Sequence, residues 1–145
     1  VGEFNGVWRD PGKFDDWIDT NQFILDQKIK KEIRSDLADS VQVEGRVSIG
    51  ENCQIKNSRL RGPLVIGDNV KINNSYIGPY SSIQNNCLIE DTEIQNSVLM
   101  EEVKIKSVSK PLDGCVIGKQ TLVRANDRPY QTLELFLGNQ CRVKI

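Results

Sequence analysis

Between Val41 and Val123, branched apolar residues recur about every sixth position. The pattern repeats in blocks of 17 residues that begin at Gly45, Gly62 and Pro79. A second, usually smaller residue precedes each branched one by two positions, and residues i and i−2 share one face of an extended strand. Each block therefore predicts three short strands whose inward branched residues are Ile49, Ile55, Leu60, Ile66, Ile72, Ile77, Ile83, Ile89 and Ile94.

A fixed internal period of this length indicates a solenoid, in which stacked repeats supply a core that no single repeat could bury. Turn chemistry at the corners agrees, because Gly and Asn are available there for positive φ. A looser fourth coil follows three clean ones, with an insertion near Ser107 to Gly114. The chain is thus predicted to be mainly β, with about four coils; the fourth is marked by Leu99, Val103, Ile105, Ile117 and Val123.

One α-helix is predicted before the coils, after the break at Pro11-Gly12. Its apolar face gathers Phe14, Trp17, Ile18, Leu25 and Ile29, with Ile24 at the margin. Phe23 points the opposite way, which fits either a tolerated surface aromatic or a contact with a neighbouring domain or subunit.

Both ends of a solenoid expose unpaired strand edges, which need caps. The helix is a candidate cap for one end. The stretch Leu133, Leu135, Leu137 and the strand-like segment from Arg142 to Ile145 are candidates for the other.

Composition narrows the function classes. The chain has 145 residues, 38% of them hydrophobic, and a net charge of −1. No apolar run approaches the roughly 20 residues of a membrane-spanning helix, and the mixed charges predict no basic stripe for nucleic acid. We therefore expect a soluble protein that binds neither membrane nor nucleic acid.

The cysteines are predicted to be reduced. Cys53 and Cys87 fall in one inward column but two coils apart, roughly 9.6 Å at the usual strand spacing, whereas a disulfide needs Cα atoms within about 7 Å. Cys115 aligns with another inward column, and Cys141 lies near the end. Buried thiols indicate a reducing cytoplasm, and with no histidine in the chain a zinc site is not expected.

The segments Ile49-Gly50-Glu51-Asn52-Cys53 and Ile66-Gly67-Asp68-Asn69-Val70 carry a motif of an aliphatic residue, Gly, two variable positions and a small residue. This motif resembles that of the hexapeptide-repeat family, whose fold is a left-handed parallel β-helix. The left-handed sense is implied by that resemblance, since ordinary parallel crossovers are right-handed. Gln84 and Met100 depart from the motif at Gly positions.

A second resemblance lies upstream, in Gly6-Val7-Trp8-Arg9-Asp10-Pro11-Gly12 and the helix that follows. It is similar to the end of the catalytic domain in sugar-1-phosphate nucleotidyltransferases, particularly long-form glucose-1-phosphate thymidylyltransferases. The resemblance implies that Asp10 helps to bind a catalytic Mg²⁺ in the intact enzyme, although Pro11 stands where the family usually has Thr. Judged without the resemblance, Asp10 before Pro-Gly is a turn former.

The predicted organisation follows from these resemblances. Residues 1–36 would be the end of the nucleotidyltransferase catalytic domain with a linking helix, and residues 37–145 a β-helix domain with a C-terminal cap. The phosphate-cradling glycine loop and the second metal carboxylate of the family are missing from these residues. The chain is therefore expected to be a non-catalytic C-terminal piece that partners an N-terminal catalytic domain and forms a homo-oligomer with regulatory or structural roles.

Two other readings stay open at this level. Many hexapeptide-repeat proteins are acyltransferases, which generally use His as the base; here a carboxylate such as Glu90 or Asp91 would have to replace it. Alternatively, the coils serve only as an oligomerisation arm. In that case Tyr76 and Tyr80, beside the Gly78-Pro79 corner, are the expected exposed aromatics at a subunit contact.

Overall fold

The computed structural model describes residues 12–125 and 133–136. One helix, α1 (Gly12–Lys28), precedes seventeen short strands in that part of the chain. The strands are β1 Glu32–Ile33, β2 Gln42–Glu44, β3 Val47–Ile49, β4 Gln54–Lys56, β5 Arg59–Arg61, β6 Leu64–Ile66, β7 Lys71–Asn73, β8 Tyr76–Ile77, β9 Ser81–Ile83, β10 Leu88–Glu90, β11 Glu93–Gln95, β12 Val98–Leu99, β13 Lys104–Lys106, β14 Leu112–Asp113, β15 Val116–Ile117, β16 Leu122–Ala125 and β17 Leu133–Phe136.

The strands stack into three sheets that form the sides of a prism. Sheet A has the order β1-β3-β6-β9-β12-β15, sheet B the order β14-β11-β8-β5-β2, and sheet C the order β17-β16-β13-β10-β7-β4. All neighbours pair in parallel except β16 and β17, which are antiparallel. The chain is a parallel β-solenoid of about five turns, so the predicted mainly β fold with one helix is confirmed. Its left-handed sense rests on the family resemblance.

The predicted inward residues form continuous columns along the prism. In sheet C, for example, Ile55 pairs with Ile72, Ile72 with Ile89, and Ile89 with Ile105. All nine branched residues predicted to point inward are buried, and each contributes roughly 1.5–3 kcal/mol through removal of its side chain from water. The sequence period therefore identifies the core correctly.

The corners use Asn and Gly differently from the prediction. Asn residues do adopt positive φ, as at Asn52, Asn69 and Asn86 of one corner. Gly50 does not, because its role is close approach: a Cβ placed there would lie 2.7 Å from the carbonyl oxygen of Gly67 in the next turn. Among the described glycines, only Gly45 and Gly114 have positive φ.

The fourth full turn contains the predicted insertion. Inward residues on sheets C and B are five positions apart in the preceding turn, from Ile89 to Ile94, but seven apart here, from Ile105 to Leu112. Val108 still occupies the inward position equivalent to Thr92, and both are buried. The extra residues therefore fall between Val108 and Leu112 and project from the C–B corner.

The ends of the solenoid match the predicted caps only in part. β17 extends sheet C at its last edge, as expected for a cap built around Leu133 and Leu135; Leu137 and residues 142–145 lie outside the described residues.

The expectation that the helix covers an end is wrong. Instead α1 contacts β9 and β15, and so lies across the outer face of sheet A, where outward Val98 and Val116 offer it apolar surface.

Candidate functional site

Asp10, the predicted magnesium ligand, lies outside the described residues. Among the residues that the structure describes, no group of three or more His, Cys, Asp or Glu side chains is placed to hold a metal ion. The magnesium assignment therefore stays a prediction. The same part of the chain contains no helix with the length and apolarity of a bilayer span.

The contact between α1 and sheet A combines apolar packing with side-chain hydrogen bonds. Ile18 and Val116 are buried against each other, with Trp17 and Val98 packed around them. Leu25, at the other end of the helix, is 1% exposed. The apolar helix face predicted from Trp17, Ile18 and Leu25 is thus the face that packs, and it packs on a solenoid wall.

Polar side chains fix the position of the helix along that wall. The Asn21 Nδ2 donates to the carbonyl oxygen of Tyr80 at 3.1 Å, and its Oδ1 accepts from the Ser82 hydroxyl. The Gln22 Nε2 donates to the Asn96 Oδ1 at 2.6 Å. Hydrogen bonds need defined geometry, so these contacts set the register of the helix, which apolar packing alone would leave loose.

Arg46 holds the C-terminal end of α1. Its Nη1 lies 3.2, 2.9 and 3.0 Å from the carbonyl oxygens of Leu25, Asp26 and Ile29. The last carbonyls of a helix lack intrahelical partners and carry partial negative charge. The guanidinium therefore satisfies orphan acceptors and complements the helix dipole, while an Nη2 to Asp26 carboxylate distance of 3.8 Å adds a weaker ion pair.

Tyr80 belongs to the same interface. Its hydroxyl donates to the Asp26 carboxylate at 2.8 Å, and this hydrogen bond, followed by desolvation, raises the pKa of Tyr80 above its ordinary value. The predicted exposure of Tyr80 is wrong, because Tyr80 is half-buried beside α1; its predicted role in a subunit contact stays a prediction. The corner that carries Tyr80 instead forms part of the surface that contacts the helix.

The other aromatic residues singled out in the sequence lie elsewhere. Phe23 is on the outward side of α1 and 64% exposed, so its predicted orientation is confirmed, and its role stays open. Tyr76 is half-buried on the outer face of sheet B, so its predicted exposure is also wrong, and its role in a subunit contact stays a prediction. Its ring lies over Gly78, where an added Cβ would come 3.0 Å from the Tyr76 Cε2.

A polar groove of about 650 Å³ runs along the C–B corner beside Tyr76. We call it the corner groove. One wall is the corner ladder and the other is an outward row of sheet B, and the extra loop of the fourth full turn contributes to its lining. The ladder consists of Asn57, Asn74 and Asp91. The outward row consists of Arg59, Tyr76 and Glu93, and the loop contributes Ser109 and Pro111.

The carboxylates considered for an acyltransferase are in different settings. Asp91 accepts hydrogen bonds from the Asn74 Nδ2 at 2.8 Å and from the Ser107 hydroxyl at 3.2 Å, so both of its oxygens have structural partners. Glu90 is half-buried on the outer face of sheet C. Glu90 also lines a shallow groove on that face, and the acyltransferase reading stays a prediction.

Charge is less evenly distributed than the composition implies. Strand pairing places four lysines, together with Glu90, on the outer face of sheet C. On neighbouring turns Leu88 separates Lys71 from Lys104, and Asn73 and Glu90 separate Lys56 from Lys106, so the prediction of no basic stripe stays a prediction. The prediction that nucleic acid is not a partner is a separate matter and stays a prediction. The lysines are Lys56, Lys71, Lys104 and Lys106.

Sequence reasoning missed most of the residues that hold α1. Arg46 is separated from its carbonyl partners by about twenty positions, and Ser82 from Asn21 by 61. Outward residues of a solenoid wall look alike in sequence whether they face water or a helix. The one available signal was that Val65, Val98 and Val116 are apolar at outward positions of sheet A, which favours a covered face.

Comparisons with known proteins agree with the fold and the upstream resemblance. No protein-family model matches the chain. It is 31% identical over 140 residues to a glucose-1-phosphate thymidylyltransferase of Streptomyces antibioticus and 30% identical over 146 residues to one of Streptomyces griseus; each match covers 97% of this chain and 39% of the relative. A low-salt glycan biosynthesis nucleotidyltransferase of Haloferax volcanii is 30% identical over 142 residues, covering 97% of this chain and 40% of that protein.

The chain thus spans about 39% of the length of the thymidylyltransferases it matches. It nevertheless aligns with them over nearly all of its own length, solenoid and helix together. By sequence similarity and by its β-solenoid, this chain matches a C-terminal part of the glucose-1-phosphate thymidylyltransferases, and the family resemblance predicted from its sequence is confirmed.

Proposed function

We propose that this chain is the C-terminal arm of a cytoplasmic glucose-1-phosphate thymidylyltransferase. The intact enzyme would convert dTTP and glucose 1-phosphate into dTDP-glucose and pyrophosphate. The observation that carries the proposal is the 31% identity to such an enzyme across 97% of the chain. Agreement over the helix as well as the solenoid supports this enzyme class over one that shares the repeats alone.

In this proposal the arm itself does not catalyse. The sequence has no glycine-rich loop to cradle the nucleotide phosphates, and transfer at a phosphate depends on phosphates that are positioned and neutralised by metal ions. Mg²⁺ would supply charge neutralisation in the intact enzyme, with Asp10 as one carboxylate ligand. The remaining ligands and the substrate pocket would come from the catalytic domain.

The arm would instead organise the intact protein. α1 is held to sheet A by apolar packing and by side-chain hydrogen bonds at several points along its length. A helix fixed in this way would transmit the orientation of a preceding catalytic domain to the solenoid. The solenoid would then serve oligomerisation and regulation, as a homo-oligomer whose exposed walls meet partner subunits.

Pyrophosphate release tests the proposal. Incubated with Mg²⁺, dTTP and glucose 1-phosphate, the 145-residue chain should release none, whereas the chain joined to its native upstream sequence should release pyrophosphate at a rate that depends on both substrates. Turnover by the 145-residue chain alone would refute the non-catalytic arm. An inactive intact protein that shows saturable micromolar binding of acetyl-coenzyme A would favour the acyltransferase reading instead.

A further inference from the structure

The corner groove originates at a departure from the repeat. Between Val108 and Leu112 the chain carries residues that the preceding turn lacks, and Ser109 and Pro111 of this loop line the groove. Solenoids commonly place insertions on the face that binds ligands. A volume of about 650 Å³ is also in the range of small-molecule sites, roughly 300–1,000 Å³.

The groove walls offer hydrogen-bonding groups that the protein does not use. Among the described residues, the side chains of Gln42, Asn57, Tyr76 and Glu93 have no protein hydrogen-bond partner, although each lines the groove. They include amide donors and acceptors, a phenol and a carboxylate acceptor. Apolar ligands would leave these groups desolvated and unpaired, at a cost in free energy, so the lining favours a ligand rich in hydroxyl groups.

Charge argues against a phosphate-bearing ligand. The groove lining contains one cation, Arg59, and two carboxylates, Asp91 and Glu93, so its net charge is −1. The one cation is already paired, because the Arg59 Nη2 lies 3.0 Å from the Glu44 carboxylate. A nucleotide or sugar phosphate would meet net negative charge, whereas a neutral polyhydroxylated ligand would not.

Tyr76 adds a flat surface. Its ring lies along the strand over Gly78 instead of standing away from the sheet, since Gly78 has no side chain to displace it. Aromatic rings present an apolar face with a polar hydroxyl at one end, which suits the apolar face and peripheral hydroxyls of a sugar ring. Arg59, Tyr76 and Glu93 occupy successive turns, so polar groups flank the ring at roughly 4.8 Å intervals.

We propose that the corner groove binds a neutral carbohydrate of two or three sugar units, with the Tyr76 ring as its stacking surface. Three turn spacings separate Gln42 from Glu93, a span of roughly 14 Å, which is longer than a single sugar ring. The proposal does not rest on the proposed nucleotidyltransferase chemistry. Loss of either proposal leaves the other standing.

Nuclear magnetic resonance titration of the 145-residue chain tests the proposal. The probes are neutral trisaccharides of glucose, mannose and galactose, with glucose 1-phosphate as the anionic comparator. At least one trisaccharide should shift the resonances of Asn57, Asn74 and Tyr76 saturably, and glucose 1-phosphate should not. No saturable shift with any trisaccharide, or tighter binding of glucose 1-phosphate at these residues, would overturn the proposal.

Two variants localise the binding. Tyr76→Ala should weaken the trisaccharide affinity about tenfold or more, as expected for loss of an aromatic contact surface. Because Tyr76 is half-buried, the exposed Glu93→Ala serves as a second variant with little risk to folding, and it should also weaken binding. Lys71→Ala on sheet C is the matched control and should leave the affinity unchanged; unchanged affinity in both groove variants would disprove the assignment.

Discussion

Cys87 shows how the stacked interior changes the chemistry of a single residue. It occupies an inward column of sheet C between Val70 and Val103 and is 1% exposed. Its thiol donates to the carbonyl oxygen of Met100 at 3.1 Å. Burial raises the pKa of this thiol to about 11, against the smaller opposing effect of neighbouring backbone hydrogen bonds. The thiol is therefore a packing group, as the sequence predicts for Cys53 and Cys115, which are also buried.

The raised pKa predicts a loss of stability in alkali that Cys87→Val should reduce. Between about pH 9 and pH 11 the unfolded chain loses the thiol proton while the folded chain keeps it. The unfolded state then binds fewer protons, so the free energy of unfolding falls with pH by about 1.4 kcal/mol per unit over that window. Val matches its column neighbours and cannot ionise. Urea unfolding at pH 8 and pH 10.5 should show a smaller pH-dependent loss in Cys87→Val than in the parent chain.

The parent chain and the variant differ only at position 87, so the remaining lysines, tyrosines and cysteines that titrate in this range are the same in both. Their difference therefore isolates Cys87. An identical alkaline loss of stability in both proteins would mean that the folded thiol ionises as readily as the unfolded one, contrary to its burial.

At the level of elements, α1 does not follow the repeat that forms the solenoid. A helix of 17 residues in a protein draws most of its stability from the packing of its apolar face. Its formation here depends on sheet A and on Arg46. Three carbonyl oxygens of the helix end converge on one guanidinium nitrogen, which makes Arg46 the residue most specific to docking.

Arg46→Met should loosen the end of α1 while the solenoid stays intact. Methionine keeps an apolar stem but removes the charge and the donors, at a cost of about 1 kcal/mol for a half-exposed cap. The amides of the last two turns of α1 should then exchange with deuterium about fivefold faster. Arg59→Met is the matched control, since Arg59 pairs with Glu44 on sheet B and should leave this exchange unchanged. Equal exchange in Arg46→Met and the parent would contradict the capping role.

The contrast between solenoid and helix explains which features were predictable from sequence. Ile72 and Ile89 could be placed in the core because period and residue type both depend on the local strand geometry. The surface on which α1 packs could not be predicted from the sequence. It depends on Val98, Val116 and Arg46, whose contacts with the helix arise only when distant turns stack. The corner groove was unpredictable for the same reason: Tyr76 was visible as an aromatic, but Gly78 and the loop beside it acquire their roles only through that stacking.

For the whole molecule, the rise of the solenoid turns must match the distance between the contact points along α1. Turns advance by roughly 4.8 Å, and α1 rises roughly 1.5 Å per residue. Arg46 in the first full turn holds the helix at Leu25 and Asp26, while Tyr80 in the third full turn holds it at Asn21 through its carbonyl oxygen and at Asp26 through its hydroxyl. The contacts of the helix therefore span two turns of the solenoid. The stability of the solenoid itself comes mainly from contacts between adjacent turns.

Deleting residues 62–78, one whole turn, should separate these two requirements. The deletion leaves the inward columns in phase, with Ile49 above Ile83, so the shortened solenoid should still unfold cooperatively in urea. However, Arg46 and Tyr80 would come roughly 4.8 Å closer together, so α1 could not keep both the contacts of its end with Arg46 and the contact of Asn21 with the Tyr80 carbonyl oxygen. Hydrogen–deuterium exchange should show α1 amides at least tenfold less protected, with protected solenoid strands. Deleting residues 62–70 instead, about half a turn, would place strands of different sheets over one another and should prevent folding. Full protection of α1 after the 17-residue deletion, or a folded half-turn deletion, would show that the turns and the helix are not locked in register as the contacts indicate.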